Sequence, residues 1–490
     1  MTMNEKTKEM MEKAREQEQS MEGTVKSCPF RTRFHIMPPV GWINDPNGLC
    51  QFQGIFHAYF QYSPLSVNGG GGFWGHCVSQ DLLHWEYKEP VLTTDIPEDA
   101  GGVYSGSALV EDGRLYLFYT GNVKLPGDYD YIDAGRISTQ ILVESPDGQH
   151  MSQKEKVLEM KDYPADITQH VRDPKVWKEE GRYHMVLGAR RRAWKEDGER
   201  RDEGGVLVYS SADMHSWSLE REIFPKQYFG YMWECPDIFS LGEGEEERKI
   251  LSFSPQGLAH EKERFQNRYQ SGWGFLSGGR PEETFTEWDM GFDFYAPQTF
   301  QAEDGRRILI GWAGVPDTQE EHANLSVKNG WQHCLTLPRE LTLERGRVIQ
   351  RPVREIFGLP WRKEDPSGGE PFRWSSRAVR LDIRDISGGS AGVLLGTPGN
   401  GLAIQADRDT VTLSYINEEG EPSACGGGRK ARTGRLEEPV DRLLILVDSS
   451  IAEIFVNGGE MVFTTRLYLE KKERELKIEG SGSVTLETVE

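Results

Sequence analysis

The sequence predicts an all-β protein: a five-bladed β-propeller followed by a C-terminal β-sandwich, with a short N-terminal helix. Three observations predict this class. A pair of short strands recurs five times, at intervals of roughly 55–70 residues. The 54 glycines and 25 prolines imply many turns between short strands. No long helical pattern interrupts the C-terminal third of the chain.

The N-terminal segment, residues 1–28, is predicted to be a helical extension. It is highly charged, and Glu9 and Lys13 are spaced to pair on one helix face. The segment lacks the apolar stretch of a secretion signal, and no apolar run in the chain reaches the length of a membrane span. We therefore expect a cytoplasmic protein that does not enter a membrane.

Residues 29–358 are predicted to form the propeller. Each unit has a first strand and then, after a charged or glycine turn, a second strand rich in aromatic and β-branched residues. The first strands are "WINDPNGLCQF", "VYSGSALVE", "RDPKVWK", "WECPDIFSL" and "FYAPQTFQA". The second strands follow turns at Gln53, Asp112, Glu180, Glu247 and Asp304.

The first strand of each propeller blade lines the central channel. Residues at one phase of these strands should therefore face one another, although they are far apart in sequence. At that phase the chain carries Asp45, Ser105, Asp173, Glu234 and Tyr295. The segment around Asp45, "NDPNG", also has the composition of a tight turn, so Asp45 is either a turn former or a reactive carboxylate.

A linker is predicted at residues 359–371, which are rich in Pro, Gly and charge. The strands beyond it, residues 372–490, are predicted to form the sandwich. Asn457-Gly458 in this region is a typical hairpin turn.

The formal net charge of −21 argues against nucleic acid and anionic membranes as partners, because both bind basic patches. The six cysteines are scattered without a C-x-x-C pair, which indicates reduced thiols. No His/Cys metal-ligand cluster, Walker-type nucleotide loop or nicotinamide motif is present, so neither metal nor cofactor is expected. The sequence carries no signal for an oligomeric state.

Three carboxylates, Asp45, Asp173 and Glu234, would share the predicted channel. Glu234 lies between Trp233 and a buried strand pattern, and Glu is seldom buried without a reason. Paired carboxylates that flank a glycosidic bond are the usual equipment of glycosidases, one attacking or activating water and one protonating the leaving oxygen. The expected partner is thus a small sugar.

The motifs "WINDPNG", "RDPKVW" and "WECPDIF" resemble those of glycoside hydrolase family 32, the β-fructofuranosidases. Weaker matches, "FWGHCVS", "YSGSA", "DFYAPQTF" and "LTLPREL", occur in the family's order, and "DSSIAEIFVNGG" fits its C-terminal pattern. The resemblance implies a retaining mechanism, with Asp45 as nucleophile, Glu234 as acid/base and Asp173 as transition-state stabiliser. It also implies contacts to the fructosyl ring or the acid/base from Asn44, Gln61, Trp74, Ser105, Arg172 and Tyr295.

One segment departs from many family members. The stretch "SPLSVNGGGGF" after Gln61 has no Trp before Trp74, and its glycines, Gly69–Gly72, either bind a phosphate or only form a flexible loop. The predicted substrate is sucrose or sucrose 6-phosphate. An exo-hydrolase of short fructo-oligosaccharides or a fructosyltransferase is the alternative, and a non-catalytic carbohydrate-binding propeller is the remote one.

Overall fold

The computed structural model describes residues 5–70, 72–278, 280–282, 284–315, 324–366, 371–387, 389–397, 399–417 and 429–489. Within these ranges the chain has one α-helix, α1 (Glu5–Lys26), and is otherwise built of strands, so the all-β prediction is confirmed. None of the described helical segments is long and apolar enough to cross a membrane.

Five consecutive antiparallel sheets follow the helix. The first contains β1 (Gly41–Phe52), β2 (Ile55–Ser63), β3 (Phe73–Ser79) and β4 (Glu86–Thr93). The second contains β5 (Val103–Glu111), β6 (Arg114–Lys124), β7 (Arg136–Ser145) and β8 (Glu155–Leu158). The third contains β9 (Ile167–Glu179), β10 (Arg182–Arg191), β11 (Glu203–Ser211) and β12 (Trp217–Ile223).

The fourth sheet contains β13 (Met232–Leu241), β14 (Arg248–Gln256), β15 (Gly272–Ser277), β16 (Arg280–Pro281) and β17 (Thr286–Glu287). Next along the chain come β18 (Tyr295–Gln301), β19 (Arg307–Trp312), β20 (Trp331–Gln332), β21 (Arg339–Glu344) and β22 (Arg347–Pro352). All of these except β20 form the fifth sheet. Strand β20 pairs in parallel with β1 and so ties the last sheet to the first.

The five predicted second strands are confirmed, because β2, β6, β10, β14 and β19 each begin within three residues of the predicted turn. Three of the turns have both central residues at positive φ, the geometry that matches the twist of a hairpin. They are Gln53-Gly54, Asp112-Gly113 and Glu180-Gly181.

The first strands of the five sheets form a closed ring: β1 contacts β5, β5 contacts β9, β9 contacts β13, β13 contacts β18, and β18 contacts β1. Hydrophobic clusters fill the space between neighbouring sheets. One example joins the third and fourth sheets through Val186, Val208, Leu251 and the stacked rings of Trp233 and Phe253. Because apolar side chains cover both faces of the sheets, the open ends of the ring are left for polar groups.

The C-terminal strands are β23 (Arg362–Glu364), β24 (Phe372–Arg373), β25 (Ala378–Arg384), β26 (Ser390–Thr397), β27 (Asn400–Asp407), β28 (Thr410–Asn417), β29 (Ala431–Arg435), β30 (Leu443–Asp448), β31 (Ile451–Val456), β32 (Met461–Arg466), β33 (Glu475–Gly480) and β34 (Ser483–Val489). They form two six-stranded sheets, ordered β23-β34-β25-β30-β31-β32 and β24-β33-β26-β27-β28-β29. Both sheets contribute to one hydrophobic cluster, which includes Leu381, Leu395, Ile404 and Ile445.

Short 3₁₀ turns complete the description, at Pro97–Asp99, Met160–Asp162, Gly244–Glu246, Leu325–Asn329, Arg354–Gly358 and Lys471–Glu473. The predicted Asn457-Gly458 hairpin is confirmed between β31 and β32. Within the predicted linker, residues 362–364 pair with β34, so this segment already belongs to a C-terminal sheet. Residues 367–370 of the linker lie outside the described residues.

A buried ionic network joins the five-sheet ring to the C-terminal sheets. Arg339 of β21 has no exposed surface, and its Nη2 donates to Asp289 Oδ2 at 2.9 Å and to Glu453 Oε2 of β31 at 2.8 Å. His35, near the start of the ring, contacts the other oxygen of Glu453 at 3.0 Å. Each buried charge therefore has a partner, which is the condition under which such charges are tolerated.

Candidate active site

Each of the five ring-forming strands is interrupted by a β-bulge at the same level. The register shifts fall between Ile43 and Pro46, Val103 and Gly106, Arg172 and Lys175, Glu234 and Asp237, and Tyr295 and Gln298. Four bulges contain a residue followed by proline, which has no N–H for the ladder. These pairs are Asp45-Pro46, Asp173-Pro174, Cys235-Pro236 and Ala296-Pro297.

The fifth bulge, in β5, has glycine in place of proline. A Cβ at Gly106 would lie 1.9 Å from the carbonyl oxygen of Phe118, so only glycine fits. The predicted tight turn at Asp45 is therefore wrong: the segment continues inside β1 and bends at bulges. Pro and Gly are typical of tight turns and of β-bulges, because turns and bulges each interrupt the regular hydrogen-bond ladder between strands.

Asp45 is half-buried and is held by donors from two strands. Ser105 Oγ donates to Asp45 Oδ2 at 2.5 Å, and Asn44 Nδ2 donates to Asp45 Oδ1 at 3.2 Å. Burial raises the pKa of Asp45, and the nearby charge of Glu234 acts in the same direction, while the Ser105 and Asn44 hydrogen bonds oppose it. The two donors fix the carboxylate and leave it partly open to the channel.

Asp173 is almost fully buried beside Asp45. It accepts a hydrogen bond from the backbone N–H of Cys235 at 3.0 Å, and Arg172 Nε lies 3.9 Å from the same oxygen. The Cys235 thiol bridges the two carboxylates, with Sγ 3.7 Å from Oδ2 of both. Burial raises the pKa of Asp173 to about 7, with Arg172 opposing the rise and Glu234 adding to it.

Glu234 receives hydrogen bonds on both oxygens. Arg172 donates to Oε1 from Nη2 at 2.6 Å and from Nε at 3.2 Å. Tyr295 Oη and Gln256 Nε2 donate to Oε2 at 2.6 Å and 2.7 Å. Burial lowers the pKa of Arg172, but the charges of Glu234 and Asp173 outweigh this and raise it overall, so the guanidinium remains charged.

The structure brings seven of the nine predicted site residues into one cluster. These are Asn44, Asp45, Ser105, Arg172, Asp173, Glu234 and Tyr295. Within the described ranges, no three His, Cys, Asp or Glu side chains are placed to hold a metal ion.

The other two, Gln61 and Trp74, support the backbone of β5 instead. Gln61 Nε2 donates to the Val103 carbonyl at 2.8 Å, and Trp74 Nε1 donates to the Tyr104 carbonyl at 3.1 Å. Trp74 has no exposed surface, so its predicted contact with a sugar ring is corrected. Both side chains hold the bulge that presents Ser105.

A group of basic side chains lies beside Glu234, and of its members only Arg172 was predicted as a site residue from the sequence. It consists of Arg136, His170, Arg172 and Arg190, which we call the arginine cluster. Arg172 Nη1 donates to His170 Nδ1 at 2.9 Å. Burial, together with the charges of Arg172, Arg136 and Arg190, lowers the pKa of His170 to about 2 and keeps its ring neutral.

Two members of the arginine cluster are anchored by neutral or acidic partners. Arg136 Nη1 donates to Asn122 Oδ1 at 2.9 Å, and Arg190 Nε donates to Asp202 Oδ2 at 2.8 Å.

Gln256 is another site residue that the sequence did not predict, and it is opposite Met232 in the β13–β14 hairpin. Correct pairing of that hairpin is the one signal that would have placed Gln256 near Glu234. Gly71 of the predicted phosphate loop lies outside the described residues.

We expect Asp173→Asn to raise the free energy of unfolding at about pH 8 by a few kcal/mol. The folded-state pKa near 7 exceeds the ordinary value of 3.8, so the folded protein holds an extra proton between these values. Stability should therefore fall as the pH rises through this window, because the ionised form is costly in the fold. Urea unfolding at about pH 8 and pH 4 measures the difference, which should shrink toward the lower pH. Equal stabilities at pH 8 would contradict the prediction.

Two family descriptions match most of the chain. Residues 35–352 match "Glycosyl hydrolases family 32 N-terminal domain", and residues 403–490 match "Glycosyl hydrolases family 32 C terminal". The resemblance drawn from the motifs is thereby confirmed.

Similar proteins cover nearly the whole length. A sucrose-6-phosphate hydrolase from Bacillus subtilis (strain 168) is 37% identical over 97% of this chain and 96% of its own. The structure of sucrose-6-phosphate hydrolase from Lactobacillus gasseri has a TM-score of 0.82 and 26% identity, covering 97% of this chain and 96% of that one. A Bombyx mori GH32 beta-fructofuranosidase mutant in complex with sucrose has a TM-score of 0.78 and 28% identity, with 97% of both chains covered.

Proposed function

The chain belongs to glycosyl hydrolase family 32 and is a glycoside hydrolase, and we propose that it cleaves the β-fructofuranosyl bond of sucrose or sucrose 6-phosphate with retention of configuration. The observation that carries the proposal is the pair formed by Asp45 and Glu234 across one channel. Asp45 is fixed by Ser105 and Asn44, and Glu234 by Arg172, Tyr295 and Gln256.

In the first step, an Asp45 oxygen attacks the anomeric carbon of the fructosyl unit. The bond from that carbon to the glucosyl oxygen breaks, and Glu234 gives its proton to the departing oxygen. Asp173 stabilises the positive charge that develops on the fructosyl ring. The product of this step is a fructosyl ester of Asp45 and a free glucosyl alcohol.

In the second step, Glu234 acts as a base and takes a proton from water. The water oxygen attacks the anomeric carbon, and the Asp45 carboxylate leaves. Two displacements at one carbon restore the original configuration, and a separation of about 5–5.5 Å between the Asp45 and Glu234 carboxyl groups is expected for such a pair.

The fold proposed for this chemistry is a five-bladed β-propeller at residues 29–358, preceded by the helical extension of residues 1–28. A β-sandwich at residues 372–490 follows, after a linker at 359–371. Five successive sheets whose first strands close into a ring support the propeller. The shared cluster of the two C-terminal sheets supports the sandwich.

We further propose that the leaving-group sugar carries a phosphate, which the arginine cluster recognises. Glu234 protonates the leaving oxygen, so the glucosyl ring must lie on the Glu234 side of the channel. The arginine cluster lies on that side, because Arg172 bonds both Glu234 and His170. Arginine is the side chain best suited to phosphate. This assignment replaces the glycine loop as the phosphate site.

Arg136→Gln should lower kcat/KM for sucrose 6-phosphate by about 10- to 100-fold, the worth of one charge-assisted hydrogen bond. The value for sucrose should change less than about threefold, which also shows that the variant folds. Arg191→Gln is the matched control, because Arg191 follows Arg190 in β10, so its side chain points to the opposite face of the strand, where it pairs with Glu203 and stacks on Phe224. An equal loss on both substrates would reject the phosphate role of Arg136.

A substrate panel of sucrose, sucrose 6-phosphate, kestose, inulin and levan tests the whole proposal. We expect release of fructose from the first two, with sucrose 6-phosphate preferred. Faster cleavage of the fructans would favour the exo-hydrolase reading, and transfer of fructose to sugar would favour a fructosyltransferase. A chain that releases no sugar from any of them would be a binding protein only.

A cytoplasmic location is proposed from the thiols. The five described cysteines, Cys28, Cys50, Cys77, Cys235 and Cys334, are all free and buried. Unpaired thiols are typical of proteins in a reducing compartment. The sixth, Cys425, lies outside the described residues.

A further inference from the structure

A cavity of about 200 Å³ with a cationic wall lies where four parts of the chain meet: α1, the segment after it, the start of β4 and the segment before β25. Its wall includes Lys26 from the end of α1, Arg31 and Arg33 from the segment that follows, and Arg377 just before β25. We call this cavity the junction pocket. No Asp or Glu is among its described lining residues.

The guanidinium of Arg31 is desolvated without a carboxylate to balance it. Its Nη1 donates to the Pro38 carbonyl at 2.8 Å, and its planar head lies 5.1 Å from the centre of the Trp331 ring. Burial lowers the pKa of Arg31, and the opposing charges come only from Tyr and Cys side chains. A charge in this state gains from an anion more than an exposed arginine does.

Two wall residues already have acidic partners: Lys26 Nζ donates to Glu22 Oε1 at 2.5 Å, and His35 Nε2 contacts Glu453 Oε1 at 3.0 Å. Asp448 accepts hydrogen bonds from the backbone N–H groups of Arg33 and Phe34, at 2.7 Å and 3.0 Å, and it contacts His35 Nδ1 at 2.8 Å. Among the described residues no carboxylate pairs with the guanidinium groups of Arg31, Arg33 and Arg377, so this part of the positive charge is not neutralised from within. Arg474 lies next to the wall, where its Nη1 donates to the Ser376 carbonyl and its Nη2 to the Pro29 carbonyl, both at 3.2 Å.

The remaining wall suits a compact ligand rich in acceptors. Trp85 and Tyr87 form one side, and the buried Trp85 Nε1 has no acceptor among the described residues. The volume corresponds to several water molecules at about 30 Å³ each, which is room for a phosphoryl group and part of a small carrier. A wall with several guanidinium groups matches a phosphate dianion better than a single carboxylate.

We propose that the junction pocket is a second anion site, which binds a phosphoryl group either as inorganic phosphate or on a small sugar phosphate. The site is independent of the reaction proposed for the carboxylates. Because its cations come from α1, the adjoining segment and the start of the C-terminal sheets, a bound phosphate would cross-link these parts.

Calorimetric titration with inorganic phosphate, at constant ionic strength, tests the proposal. The double variant Arg33→Gln/Arg377→Gln should weaken phosphate binding at least about tenfold. The control Arg182→Gln/Arg345→Gln, which removes two exposed arginines elsewhere, should bind as the wild type does. Sucrose cleavage should be unchanged in both, which shows intact folding.

The same titrations in an Arg136→Gln background weaken any phosphate binding by the arginine cluster, so the contributions of the two sites are separated. Repeating them with glucose 6-phosphate distinguishes the two sources of the phosphoryl group. Tighter binding of the sugar phosphate, lost in the double variant, assigns the pocket to a carrier-borne phosphate. Equal affinities in the wild type and the double variant, or no binding up to about 10 mM phosphate, would overturn the site.

Discussion

Asp45→Ala should lower kcat on sucrose by at least about four orders of magnitude while leaving the fold intact. The variant has no carboxylate oxygen to form the fructosyl ester, and water does not replace the carboxylate as the attacking group. Burying the Asp45 carboxylate is unfavourable for folding, so its removal should not lower the free energy of unfolding. Steady-state kinetics and thermal unfolding measure the two effects.

A small external nucleophile sharpens the test of Asp45. Azide should enter the space that alanine leaves and attack the anomeric carbon from the same face, giving a fructosyl azide of inverted configuration. Asp213→Ala, which removes an exposed turn carboxylate, is the control and should retain wild-type turnover. If Asp45→Ala still hydrolysed sucrose and formed no fructosyl azide, Asp45 would not be the nucleophile.

Glu234→Gln should lower kcat on sucrose by about three orders of magnitude, because glutamine keeps the size of the side chain but cannot give a proton to the leaving oxygen. A fructoside with an acidic leaving group needs no such proton, so its first step should be far less affected. The contrast between the two substrates separates loss of the acid from general damage to the site.

The neighbours of Glu234 supply the matched control. Tyr295→Phe removes one of the two hydrogen bonds that Oε2 accepts, so the loss of kcat should be about 10- to 100-fold on both substrates alike. If Glu234→Gln slowed sucrose and the activated fructoside equally, the carboxyl would be a positioning group and not the proton donor.

The elements most predictable from sequence were those specified locally. Hairpin turns such as Asp112-Gly113 carry their own conformational preference, so the strands that follow them were found to within three residues. The carboxylates Asp45, Asp173 and Glu234 were predicted to meet because each occupies the same position in a repeated unit. The repeat therefore gave long-range information that a single motif does not contain.

The remaining site features depend on packing and register, which local sequence does not encode. The Trp74 side chain suits both stacking on a sugar and packing in the core, and only its complete burial in the structure distinguishes the two roles. Arg136 and His170 lie on different sheets and meet through the closed ring. Gln256 reaches Glu234 because a bulge in β13 shifts the pairing with β14.

The network around Arg339 has a consequence for how the protein can be divided. Ending the polypeptide before β30 would delete Glu453 and expose the apolar face that Leu444, Phe455 and Val462 cover. Arg339 would then keep a desolvated charge with half of its counter-ions. Neither half should be obtainable as a well-behaved fragment, and gene fusions or truncations that separate them should yield insoluble material.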